Sequence, residues 1–438
     1  MAFQCLLYHI TLSPVHTSFC ARLFTMNVIK GFITYLFQKG FGGVALFLLS
    51  LFIFLPMNAF SETDRLKSFP EQVANDDIIH IPTGKKVQFA HLQNFLDCAR
   101  VIYVGEIHAN KASHQVQLKV LKACYEKFGN TLTVGMEMFT RPYQPFLDQW
   151  TAGEIDEQKF LEETQWDKEW GYDYLLYKDI FDFVREKKIP LLALNAPKDM
   201  VRMVSKKGLK NLSEEEKKSL PEIDTSDFFH RVYLERAVRE HANHAVDLER
   251  YNDVQSLWEE HMAQTIVNYL SSWEGKDKRV LVFAGNGHII YDFGIPARVF
   301  RRNFLPYYTI YPAEFQGNKP TSDQNLFLPD IPLEPADFVW VIPPQAMQEK
   351  RIYLGVQIQK TGDNKLIIEA ITPESPAQKA GFQTGDAIIS IDGKMVKSVL
   401  DLVHYLQTKQ FGETCTVVIE RNGNTISCEA TLFEIKHP

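Results

Sequence analysis

"VIYVGEIHAN", residues 101–110, decides the fold. It begins as an uninterrupted apolar run and ends with Glu106 and His108 on either side of one apolar residue. Such a run, bounded by glycine and polar residues, is the pattern of a strand buried on both faces of a parallel sheet. A carboxylate and an imidazole at its carboxyl end then fall where loops leave such a sheet and ligands bind. Four other stretches repeat the pattern: "TLTVGM" (131–136), "IPLLAL" (189–194), "RVLVFA" (279–284) and "YYTIYP" (307–312). Helical periodicity fills the intervals. Between the first two strands, Val116, Val120, Leu121, Cys124, Tyr125 and Phe128 recur at helical spacing, with Ser113 as the expected N-cap. "YKDIFDFVREKK" and a pair of helices between Asp227 and Tyr269 complete the set. The expected class is α/β, a mainly parallel sheet with flanking helices and a helical insertion before the fourth strand.

The strand ends carry more polar residues than Glu106 and His108. "GME" ends the second strand at Glu137, Asn195 ends the third, and "GNGH" ends the fourth at His288. Four strands thus deliver polar groups to one edge. Two imidazoles and two carboxylates form an N/O set suited to a divalent metal, or to a general base with an orienting partner. Each residue alone has a plainer reading, as a helix cap or a loop residue satisfied by its neighbours. Trp166, Trp170, Tyr172 and Tyr174 in the segment up to "WGYDYLLY" could clasp a flat ligand or simply form core. "HANH" places His241 and His244 one turn apart, a spacing that more often marks a solvated face. In "QSLWEEHMAQTIVNYL", Leu257, Ile266 and Leu270 are expected core positions, while Glu259 and His261 could face the site.

The chain has 438 residues, 45% hydrophobic and 23% charged, enough for a large core and two domains. A formal net charge of −7 with no basic run gives no electrostatic footprint for nucleic acid. The first sixty residues differ from the rest. An uncharged apolar run from Val44 to Leu55 follows Lys30 and Lys39 and precedes the small residues Ala59 and Ser61, the layout of a secretory signal peptide with an h-region shorter than a spanning helix. Residues 1–61 are therefore expected to be removed, with Met26 as an alternative start and an uncleaved membrane anchor as the alternative fate. A periplasmic or exported location follows. Of six cysteines, Cys98 with Cys124 and Cys415 with Cys428 are the locally plausible disulfides for that compartment.

Residues 316–344, rich in proline and turn formers, read as a linker, with "FVWVI" as a local strand. Beyond them, "YLGVQI", "KLIIEAI", "AIISIDG" and "TCTVVIERNGNTISCEA" are short β patterns, the last with Asn422-Gly423 at a hairpin turn. One helix, "SVLDLVHYLQT", interrupts them. The expected divisions are 1–61, 62–315, 316–344 and 345–436.

Taken in order, "GEIH", "GMEMF", "ALNAP", "QSLWEEHMA" and "FAGNGH" resemble the ChaN-like proteins, haem-binding iron-uptake factors of the wider Tiki and erythromycin-esterase superfamily. The resemblance runs from about Phe89 to Phe315. One position departs: the family pattern has aspartate after the tryptophan of the helix motif, and this chain has Glu259. The resemblance implies haem as cofactor, held by a tyrosine with a histidine nearby, for which Tyr172 and Tyr174 are the candidates, and often bound at a homodimer interface. It also implies a rival chemistry, hydrolysis of peptide or ester bonds by GExH-type residues, in which Glu106, His108, Glu137 and His288, with Asn195 beside them, would hold a divalent metal or activate water. Residues 345–436 resemble a bacterial PDZ domain. "YLGV" matches the carboxylate-binding loop, "SPAQKAGFQTGDAIISIDGKMV" the signature after it and "DLVHYLQTK" the groove helix. That resemblance implies capture of a partner's C-terminal peptide, with the N–H groups of Leu354, Gly355 and Val356 receiving its carboxylate. The export expectation is checked by mass spectrometry of the native chain: an N-terminus near Glu62 is expected, and an intact leader on a membrane-bound product would contradict it.

Overall fold

The computed structural model describes residues 69–70, 72–241, 247–316, 319–320, 326, 328, 330–344, 352–361 and 365–433. The leader and His244 of "HANH" lie outside the described residues. Two compact units divide after Gln345.

Among the described residues, nine strands build the sheet of the first unit: β1 (Ile78–His80), β2 (Lys85–Val87), β3 (Val101–Glu106), β4 (Leu132–Thr140), β5 (Leu191–Asn195), β6 (Arg279–Gly285), β7 (Tyr307–Gln316), β8 (Lys319–Pro320) and β9 (Phe338–Ile342). Their order is β2-β1-β9-β7-β3-β6-β4-β5, with β8 paired to β7. The six strands from β9 to β5 run parallel, and β1 and β2 add an antiparallel edge. All five apolar runs of the sequence are strands of this parallel part. Their burial explains their composition, since every residue of β3 is buried and so are Val280 to Gly285 of β6. Helices cover both faces of such a sheet and leave no strand position wet.

Six helices matter for the site: α1 (Phe89–Leu96), α2 (Lys111–Phe128), α3 (Lys178–Lys187), α4 (Phe228–His241), α5 (Leu248–Ser271) and α6 (Ile295–Asn303). Helix α2 buries Val116, Val120, Leu121 and Cys124, the stripe its spacing predicts. Its N-cap is Asn110 and not Ser113: the Asn110 side chain accepts from the Ala112 N–H at 2.8 Å, while the Ser113 hydroxyl, inside the first turn, donates to the carbonyls of Ile107 and Asn110. The cap begins three residues earlier because Asn110 also ties the loop to β7 and β9, donating to Glu314 and to the Pro343 carbonyl. Helix α5 buries Leu257, Ile266 and Leu270 as expected, and Glu259 with them.

The stretch read as a linker does more than connect. β9 lies between β1 and β7, and Leu326, Leu328, Ile331 and Ala336 are buried in the main core. Prolines and turn formers set the local path of this segment, but its scattered apolar residues are enough to dock it. β1 and β2, three residues each, are too short to show a period in the sequence.

The second unit is an antiparallel sheet, β10 (Val356–Lys360), β11 (Leu366–Ile371), β12 (Ala387–Ile391), β13 (Lys394–Met395), β14 (Thr414–Arg421) and β15 (Asn424–Thr431), ordered β10-β11-β12-β14-β15 with β13 on β12. Helix α7 (Val399–Leu406) packs Leu402 and Leu406 into its core. Asn422 and Gly423 have φ of 52° and 78°, the left-handed pair a two-residue hairpin needs. The expected disulfides are absent: Cys98, Cys124, Cys415 and Cys428 are all free thiols. Register explains one pair, since Cys415 faces Ala430 and Cys428 faces Val417 across β14 and β15. In the other pair, Cys124 is buried on α2 while Cys98 is exposed.

Phe283 of β6 is fully buried between β3 and β4. Phe283→Ala should lower the stability of the first unit by about 3–5 kcal/mol, the usual cost of deleting a buried phenyl ring. Chemical denaturation checks this, and a loss below roughly 1 kcal/mol would show that the sheet centre is not closely packed.

Candidate functional site

Because β3, β4, β5 and β6 are parallel neighbours, their carboxyl ends share one edge. β6 lies between β3 and β4, so Gly285 at its end separates Glu106 from Glu137. The glycine is required there. A Cβ at position 285 would stand 2.8 Å from His108 Cε1 and 3.0 Å from His108 Nε2. Its absence lets the imidazole lie over the end of β6.

On the β3 side, Glu106 is buried and His108 is partly exposed. His108 Nδ1 meets Glu106 Oε1 at 2.8 Å, Tyr177 donates its hydroxyl to the same oxygen at 2.7 Å, and Gln117 donates to Oε2 at 2.8 Å. Gln117 and His114, whose Nε2 lies 3.0 Å from the His108 carbonyl, come from successive turns of α2. Trp170 meets the His108 ring edge-on at 4.9 Å, and Tyr172 lies against it at 4.8 Å.

The β4 and β6 side has the same grammar. Glu137 Oε2 accepts from the Gly285 N–H at 2.6 Å, and Oε1 lies 3.3 Å from His288 Nε2. The other nitrogen of His288 lies 3.3 Å from Glu259 Oε1 and 3.0 Å from Gln255 Nε2. Glu259 is fully buried and also pairs with Arg298 of α6 at 3.2 Å and with His230 of α4 at 3.6 Å. Each imidazole thus has a carboxylate at Nδ1, and charges alternate in sign through the cluster.

Electrostatics follow from this order. Burial alone would discharge His288, but Glu137 and Glu259 on its two nitrogens outweigh it and push its pKa up to about 10. Burial likewise opposes the Glu137 charge, yet His288, His108 and the Gly285 N–H hold it down at about 2. For His108, burial is again overcome, by the Glu106 hydrogen bond and the Glu137 charge, and the pKa is raised. Tyr172 is raised by burial and then by the charges of Glu106 and Glu137, and Tyr177 well raised by the same causes.

Not every expected residue joins the cluster. Asn195 braces it from behind: its amide donates to the Glu137 carbonyl and accepts from the Ala196 N–H. Tyr174, buried at 3% exposure, stacks on Phe181 at 5.6 Å and meets Trp166 edge-on, so it belongs to the aromatic core. His261 holds the Leu194 carbonyl at 3.0 Å. Among the described residues, no group of three or more His, Cys, Asp or Glu has a geometry that could hold a metal. The carboxylates are engaged by imidazole, amide and hydroxyl groups instead. Tyr177, Gln117, His114, Gln255 and Arg298 were not singled out from the sequence. Gln255 and Glu259, four apart on one helix, carried the signal that could have found the first of these helix partners.

Comparison with known proteins identifies the two domains. The family model described as haem-binding uptake, Tiki superfamily, ChaN matches residues 93–299, and a PDZ domain model matches 352–432. The chain carries a ChaN-type domain followed by a PDZ domain. Among solved structures, it is similar to the one titled "Cofacial heme binding to ChaN of Campylobacter jejuni", with 19% identity, a TM-score of 0.48 and coverage of 60% of this chain and 95% of that one. Curated relatives include serine protease HTRA1 of Xenopus tropicalis, 33% identical over 106 residues (20% of this chain, 22% of the relative). Serine endoprotease DegS of Escherichia coli is 29% identical over 69 residues (16% and 19%). The chain thus spans about a fifth of the length of these relatives.

The ChaN-type domain should reveal its buried pair in its pH dependence. His288, raised from 6.5 to about 10, contributes stability that is complete below pH 6.5 and lost as pH rises through about 10. Glu137, lowered from 4.5 to about 2, contributes stability present above pH 4.5 and lost as pH falls through about 2. Urea midpoints should therefore fall between pH 7 and pH 10, and by less in Glu137→Gln. Equal falls in the two proteins would contradict the pairing.

Proposed function

We propose that the chain is an exported haem-binding protein of the haem-uptake or iron-handling class whose PDZ domain recruits a protein partner. The observation that carries the haem reading is the partly exposed Tyr172 phenol lying 4.8 Å from the His108 ring at the strand edge, in a domain matched by a haem-binding family. The residues fit the group. A phenol and an imidazole are suitable donors beside Trp170, whose indole offers a flat apolar wall. Tyr172 would hold the iron and His108 would stand beside it, with Glu106 fixing the imidazole through Nδ1. Ferric haem, when bound, supplies a Lewis acid that can take the place of the phenolic proton. That substitution matters because burial, and then the charges of Glu106 and Glu137, raise the Tyr172 phenol above its ordinary value and oppose loss of its proton to water. The homodimer expected of the family belongs to the same reading.

For the PDZ domain, the support is an open sheet edge and a preshaped loop. β10 ends the strand order, with β11 as its partner among the described residues. Ahead of it, Gly355 has φ of 79°, and the Leu354 and Gly355 carbonyls are taken by the N–H groups of Ala377 and Thr372, each at 2.8 Å. The N–H groups of Leu354, Gly355 and Val356 are the ones that would receive a peptide carboxylate, while the peptide pairs with β10.

A second reading, hydrolysis, is favoured by one feature: both His108 and His288 carry a carboxylate at Nδ1, the arrangement of a general base with its orienting partner. This reading stands on the general base alone, since among the described residues Glu106, His108, Glu137 and His288 do not form a metal-holding group. It predicts turnover of an ester or peptide that Glu106→Gln and His108→Ala each abolish.

Titration of the full chain with ferric haem tests the first reading. A saturable shift of the Soret band is expected, and Tyr172→Phe should weaken binding by about tenfold or more, a loss of roughly 1.4 kcal/mol. No shift at micromolar haem, or a Tyr172→Phe variant with unchanged affinity, would reject it.

A further inference from the structure

We propose that Tyr177 is a positioning residue of this site: its hydroxyl locks the aromatic segment bearing Trp170 and Tyr172 onto the Glu106–His108 pair. The inference rests on the haem-site reading of this edge and adds the residue that sets its geometry. Tyr177 is fully buried, with its ring 4.1 Å from His114 and 5.2 Å from Trp166. Its hydroxyl is used in both directions. It accepts from Trp170 Nε1 at 3.0 Å and donates to Glu106 Oε1 at 2.7 Å, the oxygen that also meets His108 Nδ1 at 2.8 Å. One phenolic oxygen therefore joins a side chain of the loop after α2 and β4 in sequence to the carboxylate at the end of β3.

The consequence lies in what Trp170 touches. Its ring meets His108 edge-on at 4.9 Å and Tyr172 at 5.5 Å. The Tyr172 and His108 rings touch each other directly, and the indole that Tyr177 anchors packs against both. Without the hydroxyl, the indole N–H loses its acceptor, and the buried Glu106 carboxylate loses one of its donors. Buried polar groups left without partners drive local rearrangement, whereas the ring packing of residue 177 would survive in phenylalanine. Packing and positioning are thus separable by one atom.

The experiment uses the full chain with selectively ¹⁵N-labelled tryptophan, the Trp170 indole resonance being assigned through Trp170→Phe. In Tyr177→Phe, the Trp170 N–H resonance should move upfield, and affinity for ferric haem should fall about tenfold or more. Trp170→Phe, which breaks the same relay at its other end, should show the same loss, and the double variant should be little worse than either. An unmoved resonance in Tyr177→Phe overturns the proposal, as does wild-type haem affinity in either variant. Should Tyr177→Phe fail to fold, the Trp170 indole N–H resonance of the wild type decides: a downfield, hydrogen-bonded position supports the proposal, and a shift typical of a solvent-exposed indole overturns it. Should the wild-type chain bind no haem, the functional reading fails, and the proposal is judged on contacts between the Tyr172 and His108 rings by nuclear Overhauser effects. These must be present in the wild type and lost in Tyr177→Phe, and their survival overturns it.

Discussion

A buried carboxylate cannot keep its charge without partners, and Glu137 keeps it because His288 and the Gly285 N–H meet its two oxygens and the His108 imidazole lies nearby. Much of the site follows from that constraint. His288 needs a second counter-charge to stay protonated out of water, and Glu259 supplies it. Glu259 in turn is held by Arg298 and His230, from helices on either side of α5 in sequence. The same solution recurs at Glu106, where an imidazole, a phenol and an amide converge on one buried carboxylate. The strand edge is therefore a lattice of opposed charges and directed hydrogen bonds, built before any ligand is considered.

The parallel sheet was legible because its strands are buried on both faces and so read as unbroken apolar runs. Parallel order alone then placed Glu106, Glu137, Asn195 and His288 on one edge, without knowledge of any contact. What remained hidden depends on distance in the chain. Tyr177 reaches Glu106 across 71 positions and Glu137 reaches Gly285 across 148, pairings no local period can announce. Tyr172 and Tyr174 look alike in "WGYDYLLY", yet one lies against His108 and the other is sealed under Phe181 and Trp166. Two residues of separation on an irregular segment can reverse the direction of a side chain, and only the packing decides which. The cysteines teach the same lesson in the second unit, where adjacent strands bring Cys415 and Cys428 near without bringing them opposite.

Function divides along the chain as the two folds do. The ChaN-type domain offers a phenol and an imidazole at a charged strand edge, and the PDZ domain offers a strand at the end of its sheet's order among the described residues and a loop with satisfied carbonyls. A binding protein needs a site that is rigid and chemically selective but need not turn over a substrate. The cluster suits that role, since its carboxylates are already committed to neighbouring side chains. The hydrolytic reading would ask His288 to accept a proton that the two carboxylates beside it already hold there, its pKa being pushed up to about 10.

The central claim is that Tyr172 holds a haem at the edge defined by Glu106 and His108. Resonance Raman spectra of the ferric haem complex, excited into the phenolate-to-iron charge-transfer band, test it most directly. The account predicts iron–phenolate vibrations that disappear in Tyr172→Phe and persist in Tyr174→Phe. A haem complex without those vibrations, or one that retains them in Tyr172→Phe, would contradict it.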